Sequence, residues 1–108
     1  MDIEPCDSCD EPGKPEATGE FVRQLLIVNK KGLHARATAK FVQCVETFNA
    51  EIRVSRCGDI VGGTSIMGIL TLGAGIGSTI FVAADGPEAE QAVNAIAELV
   101  ANRFGEDE

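Results

Sequence analysis

The sequence predicts an α+β domain in the order β-α-β-β-α-β-α, one sheet carrying all of its helices on one face. Three observations lead there. Short apolar or alternating runs of strand length are interleaved with stretches whose apolar residues recur at helical spacing. Cys57-Gly58-Asp59 supplies a tight turn that joins two of the strands as a hairpin. Each helical stretch has a single apolar stripe, and one sheet face can bury all of them.

Residues 21–28 (FVRQLLIV) read as the first strand, with Leu25 and Ile27 on one face. Asn29-Lys30-Lys31-Gly32 breaks the run as a loop. Residues 34–47 then form an amphipathic helix, because Thr38, Phe41, Val42, Val45 and Phe48 recur at its period. Glu51 to Arg56 alternates with Ile52 and Val54 facing one way, and a short strand near Ile60 to Gly62 follows the turn. Ser65 to Leu72 (SIMGILTL) is a two-turn helix with a capping residue in front. Gly73, Gly75 and Gly77 make a flexible connector into a strand at Thr79–Ala84. Asp85-Gly86-Pro87-Glu88 opens a last helix to Arg103, whose stripe is Ala89, Val93, Ile96, Ala97, Val100 and Phe104. There is no internal repeat.

A chain of 108 residues suffices for one modest core. With no Trp or Tyr and five Phe, that core is aliphatic. The net charge of −8 is uneven. Residues 1–20 hold seven acids against Lys14, and three of the four prolines, which reads as a disordered acidic extension. The domain is expected over residues 21–108. Acidity on this scale disfavours nucleic acid, whose phosphates need clustered Lys and Arg. No run approaches the length of a membrane span, and Met1-Asp2-Ile3-Glu4 lacks the basic start of a secretory signal. A cytoplasmic monomer without membrane attachment is expected.

The four cysteines do not form a disulfide framework. Cys44 reads as a small buried residue and Cys57 as an incidental thiol. Cys6-x-x-Cys9 has the spacing of half a zinc site, but two further ligands are missing, so no metal is expected.

The chemistry concentrates at Gly32-Leu33-His34-Ala35-Arg36, where the first loop meets the first helix. A helix start leaves about four N–H groups unpaired and carries partial positive charge, which suits a phosphate. That positive end also favours the neutral, nucleophilic form of an imidazole. Arg36 adds a guanidinium that can pair with phosphate oxygens, and Gly32 lets the loop turn sharply. Nucleophile, oxyanion donors and charge compensation thus fall within one turn. By position alone, a histidine near a helix start is more often a surface residue or a helix cap than a phosphoryl acceptor.

Gly-Leu-His-Ala-Arg-Ala-Thr-Ala-Lys-Phe-Val (32–42) and Gly-Thr-Ser-Ile-Met-Gly-Ile-Leu-Thr-Leu (63–72) resemble the two signature segments of HPr. That family is the histidine-containing phosphocarrier of the bacterial phosphoenolpyruvate-dependent phosphotransferase system. The resemblance covers roughly residues 21–104 and implies an open-faced sandwich, a four-stranded antiparallel sheet under three helices. It implies His34 as the histidine phosphorylated on Nδ1 and Arg36 as the arginine that stabilises the phosphate. Ser65 matches a serine that a dedicated kinase/phosphorylase modifies in some bacteria. Ala35, Ile66 and Met67 fall on the docking surface. The implied donor is enzyme I, charged by phosphoenolpyruvate, and the implied acceptor is an EIIA-type protein. No cofactor and no enzyme activity are implied.

Two features depart from the common pattern. Ala37 stands where many members have proline, and a good helix former is tolerated at a first turn. The acidic extension has no counterpart in the pattern. The HARATAKFV form looks more like the proteobacterial, nitrogen-related branch than the sugar-transport one. A regulatory binding module is therefore the alternative function, and a small acyl-phosphate hydrolase a third. The hydrolase lacks an evident second group to activate water.

Plainer readings stand beside these. Ser65 or Thr64 can simply cap a helix. The Ile66–Leu70 run has room for one buried side, expected at Ile69 or Leu70, which leaves Met67 partly exposed. The Gly73–Gly77 stretch has the wrong order for a dinucleotide loop. Lys30 and Lys31 read as a solvated loop.

Overall fold

A computed structural model describes residues 17–56 and 58–105. Its elements are β1 (Phe21–Leu26), α1 (Ala35–Glu46), β2 (Glu51–Arg56), β3 (Asp59–Gly62), α2 (Ile66–Thr71), β4 (Thr79–Asp85) and α3 (Ala89–Ala101), then a 3-10 turn (Arg103–Gly105). The four strands form one antiparallel sheet in the order β1-β4-β2-β3. This is the expected open-faced arrangement.

The core follows from the alternation. Ile80, Val82 and Ala84 of β4 and Ile52 and Val54 of β2 are buried together with Leu25. Against them pack Phe41 and Val45 of α1, Ile69 of α2, and Ala92, Val93, Ile96 and Val100 of α3. On α1 the buried positions Ala37, Thr38, Phe41, Val42 and Val45 are three or four residues apart, as one stripe requires. Phe48 is only partly buried, and Cys44 is half-buried, where desolvation pushes its thiol up.

Several boundaries differ from the expected ones, each for a local reason. β1 ends at Leu26: the Ile27 N–H still bonds the Ser78 carbonyl at 2.8 Å, but the Ile27 carbonyl is bonded by the Gly77 N–H and not by that of Ser78, which breaks the register. The last helix begins at Ala89 and not at Asp85, because Asp85 still pairs with Glu51 and Gly86 has φ of +119°. That helix also stops at Ala101. Phe104 is fully buried, but not as part of the helical stripe: Arg103 and Phe104 have φ of +57° and +55°, which swings the ring under the helices. The Lys40 ammonium bonds the Phe104 carbonyl at 2.7 Å and fixes that turn to α1.

Ala17–Glu20, which composition places in the extension, are bonded along the sheet face that carries no helix. Residues 53, 55, 83 and 85 point there, since they alternate with core positions. The Ala17 N–H donates to Ser55 Oγ at 2.8 Å, and Arg53 donates to the Thr18 carbonyl and to Asp85. The Glu20 N–H donates to Asp85 Oδ1 at 2.8 Å. The Arg53 hydrogen bond, joined by the one from Glu20, holds the Asp85 carboxyl below the usual carboxylate range. Residues 1–16, with Cys6 and Cys9, and also Cys57, lie outside the described residues.

Candidate functional site

His34 is the N-cap of α1, with extended backbone (φ −79°, ψ −178°) and a side chain that makes no capping bond. The first intrahelical bond runs from the Thr38 N–H to the His34 carbonyl at 2.8 Å. The amides of Ala35, Arg36 and Ala37 therefore have no carbonyl to meet within the helix. His34 is half-buried, while Ala35 and Arg36 are exposed. No acidic residue occupies the first turn of α1, so nothing of its own neutralises the helix end. Chemically, this end offers an imidazole beside open amides and a guanidinium two residues on.

Two loops meet to place it. The Leu33 N–H donates to the Ala74 carbonyl at 2.9 Å, and the Gly77 N–H donates to the Ile27 carbonyl at 2.9 Å. Gly32 has φ of +66°, and a Cβ there would lie 2.5 Å from the Ala74 oxygen. Only glycine allows so close an approach. The Asn29 side chain, fully buried, donates from Nδ2 to the Gly32 carbonyl at 2.8 Å. Thr38 Oγ1 donates to the Leu33 carbonyl at 3.2 Å.

The expected flexible connector is thus packed against the histidine loop. Ala74 is only 4% exposed, and Arg56 of β2 donates to the Leu72 carbonyl at 3.0 Å just before it. Asn29, Ala74 and Arg56 are the participants that sequence reasoning missed. Asn29 and Gly32 at the two ends of one short loop were a visible turn signal, but nothing local marked Ala74 or Arg56.

Ser65 caps α2: its Oγ accepts the Gly68 N–H at 3.1 Å. The plainer reading of Ser65 is therefore satisfied in full. Ile69 is buried, while Ile66 and Met67 remain 43% and 70% exposed. α1 and α2 pack together, which brings this apolar pair onto the same side of the sheet as His34. By contrast, a surface groove lined by Cys44, Glu98 and Asn102 lies toward the far end of α1, about 13 Å along the helix from Ala35. It gathers no second reactive group. Among the described residues no three His, Cys, Asp or Glu cluster as metal ligands, and no helix is long and apolar enough to cross a membrane.

A family model described as PTS HPr component phosphorylation site matches residues 21–102. The chain belongs to the HPr family. Among its relatives, phosphocarrier protein HPr of Cupriavidus necator is 49% identical over 86 residues, covering 80% of this chain and 97% of that one. The Xylella fastidiosa HPr is 45% identical over 84 residues, covering 78% and 94%. HPr-C-His from Thermoanaerobacter tengcongensis has a similar structure, with a TM-score of 0.78 at 38% identity, covering 82% of this chain and 99% of that one. The Bacillus anthracis HPr gives a TM-score of 0.72 at 39% identity, covering 74% and 95%. The HPr model begins at Phe21, so the sheet-bound Ala17–Glu20 segment precedes the part matched to the family.

Proposed function

We propose that this chain is a phosphocarrier of the phosphotransferase system and not an enzyme with its own substrate. In this reading Nδ1 of His34 attacks the phosphorus atom held by phospho-enzyme I. A P–N bond forms as the bond to enzyme I breaks, and the phosphoryl group later leaves for an EIIA-type acceptor by the same exchange. The amides of Ala35 and Arg36 at the exposed helix start, with the Arg36 guanidinium, stabilise charge that develops on the phosphoryl oxygens. The acting unit is residues 21–108, a cytoplasmic monomer.

The observation that carries the reading is the position of His34, at a helix N-cap its side chain does not fill, in a chain of the HPr family. Incubation with phosphoenolpyruvate and enzyme I should add one acid-labile phosphate per chain. His34→Ala should abolish that addition; a phosphate still gained by the variant would refute the assignment. Arg36→Ala should slow transfer while the domain stays folded.

The exposed pair Ile66 and Met67 beside the Ser65 cap favours a second element, regulation. A phosphate on Ser65 suits a helix start yet places charge beside an apolar docking face formed with Ala35. A kinase/phosphorylase acting on Ser65 would then govern partner choice. If the chain serves chiefly as a regulatory module and not in sugar transport, its unmodified, His-phosphorylated and Ser-phosphorylated forms should retain different partners in pull-downs.

A further inference from the structure

The loop that precedes the histidine is closed by a side chain. Asn29 is 0% exposed, although it sits in a four-residue loop whose two central residues, Lys30 and Lys31, are exposed. Burying an amide in a surface loop is unfavourable, and a hydrogen bond made by it offsets part of that cost. Here Nδ2 donates to the Gly32 carbonyl at 2.8 Å, while the Gly32 N–H donates back to the Asn29 carbonyl at 3.2 Å. Both bonds close the same loop, one through backbone and one through side chain.

Gly32 is fixed from the other side as well. Its Cα packs so near the Ala74–Gly75 backbone that a Cβ would lie 2.5 Å from one atom and 2.6 Å from another. The next residue, Leu33, donates to the Ala74 carbonyl, and the one after that is His34. The orientation of the Gly32 peptide therefore sets where the imidazole leaves the chain. The Asn29 side chain bonds the Gly32 carbonyl directly.

We infer that Asn29 is a positioning residue for His34, acting through the Gly32 carbonyl and touching neither phosphate nor partner. The inference rests on His34 being the phosphoryl acceptor. Without the amide donor, the Gly32–Leu33 peptide is held only by the Leu33 N–H bond to Ala74 and by packing, so its tilt is less tightly set and the imidazole is presented in the transfer geometry only part of the time. Docking of enzyme I uses exposed surface and does not depend on that peptide. The expected signature is a loss in kcat with KM preserved.

The test compares the wild-type chain with Asn29→Asp, nearly the same shape but without the donor, and with Asn29→Ala. Each is titrated as substrate of enzyme I with phosphoenolpyruvate, and the amide spectrum is recorded by NMR. For Asn29→Asp the expected result is a kcat lowered at least fivefold, with KM for the carrier within twofold. Amide shifts should be confined to residues 29–36 and 73–78, with α3 unmoved. Wild-type kcat in either folded variant would overturn the inference, as would KM rising in place of the fall in kcat. Loss of the folded state in both variants would also overturn it, since Asn29 would then be required for the fold. A wild-type chain that takes no phosphate, or a His34→Ala chain that does, would instead overturn the phosphocarrier reading.

Discussion

Leu33 and Ala74 join the two loops at one end of the sheet: the Leu33 N–H meets the Ala74 carbonyl at 2.9 Å, one residue before the histidine. This bond ties the start of α1 to the connector between α2 and β4, so the two signature segments of the chain share one mechanical unit. Gly32 sits within that unit at φ +66°.

Gly32→Ala should accordingly be costly. A left-handed backbone strains any residue with a Cβ by about 1–3 kcal/mol, and here the added atom also strikes backbone that cannot swing aside. For a domain of this size each kcal/mol lowers Tm by roughly 4–8 °C. Thermal unfolding should show that loss, and the phosphoryl acceptance of His34 should fall further than the unfolded fraction explains. Gly75→Ala serves as the control, because a Cβ there meets nothing within 4 Å.

The Ala17–Glu20 segment should contribute to stability although it precedes the family match. A chain lacking residues 1–16 keeps the bonds to Ser55, Arg53 and Asp85, whereas one lacking residues 1–20 loses them all. The second truncation should therefore melt at a lower temperature than the first, by several degrees. Equal melting temperatures would show that the segment adds nothing.

The same latch gives a pH dependence. Asp85 has a folded-state pKa below its ordinary value of 3.8, first because Arg53 hydrogen-bonds it and then because of the Glu20 N–H. The unfolded chain binds that proton more readily, so the contribution is complete above the ordinary value. It is lost as pH falls through the lower, folded one. Asp85→Asn should remove this part of the acid-induced loss below about pH 4, measured as Tm against pH, and should leave the slope near neutrality unchanged.

Ser65 tests capping against signalling. Ser65→Ala removes the acceptor for the Gly68 N–H and should cost about 1 kcal/mol. Ser65→Asp preserves a good cap, so its Tm should stay near wild type. Its added charge lies beside Ile66 and Met67, so transfer from enzyme I should slow through a raised KM. Met67→Asp should do likewise, whereas Val22→Asp, at a 49% exposed position on the helix-free side, should not.

Much of the fold was legible because periodicity is local. The stripe on α1 and the alternation of Ile52 and Val54 each name a buried face from sequence neighbours alone, and the burial matches. Phe104 shows the limit. Its spacing extends the α3 stripe, and it is indeed buried, but through two left-handed residues and a Lys40 bond contributed by another helix. Asp85 reads as a helix start beside Gly86 and Pro87, yet pairing with Glu51 keeps it in the strand. Ladder bonds to a distant strand outweighed a local signal.

The candidate site divides in the same way. By itself the sequence determined that His34 and Arg36 share the first turn of a helix after a glycine, because helix start and residue spacing are properties of contiguous chain. It also pointed to a capped short helix with Met67 partly exposed, and the structure chose Ser65 over Thr64 as the cap. Only the tertiary structure decided what holds the histidine in place. The carbonyl of Ala74 lies 40 positions away from His34 in the sequence, Arg56 reaches Leu72 from another strand, and Asn29 is buried although its loop neighbours Lys30 and Lys31 are exposed. Such bonds depend on where a backbone carbonyl comes to rest, and every residue type carries one, so no residue pattern announces them.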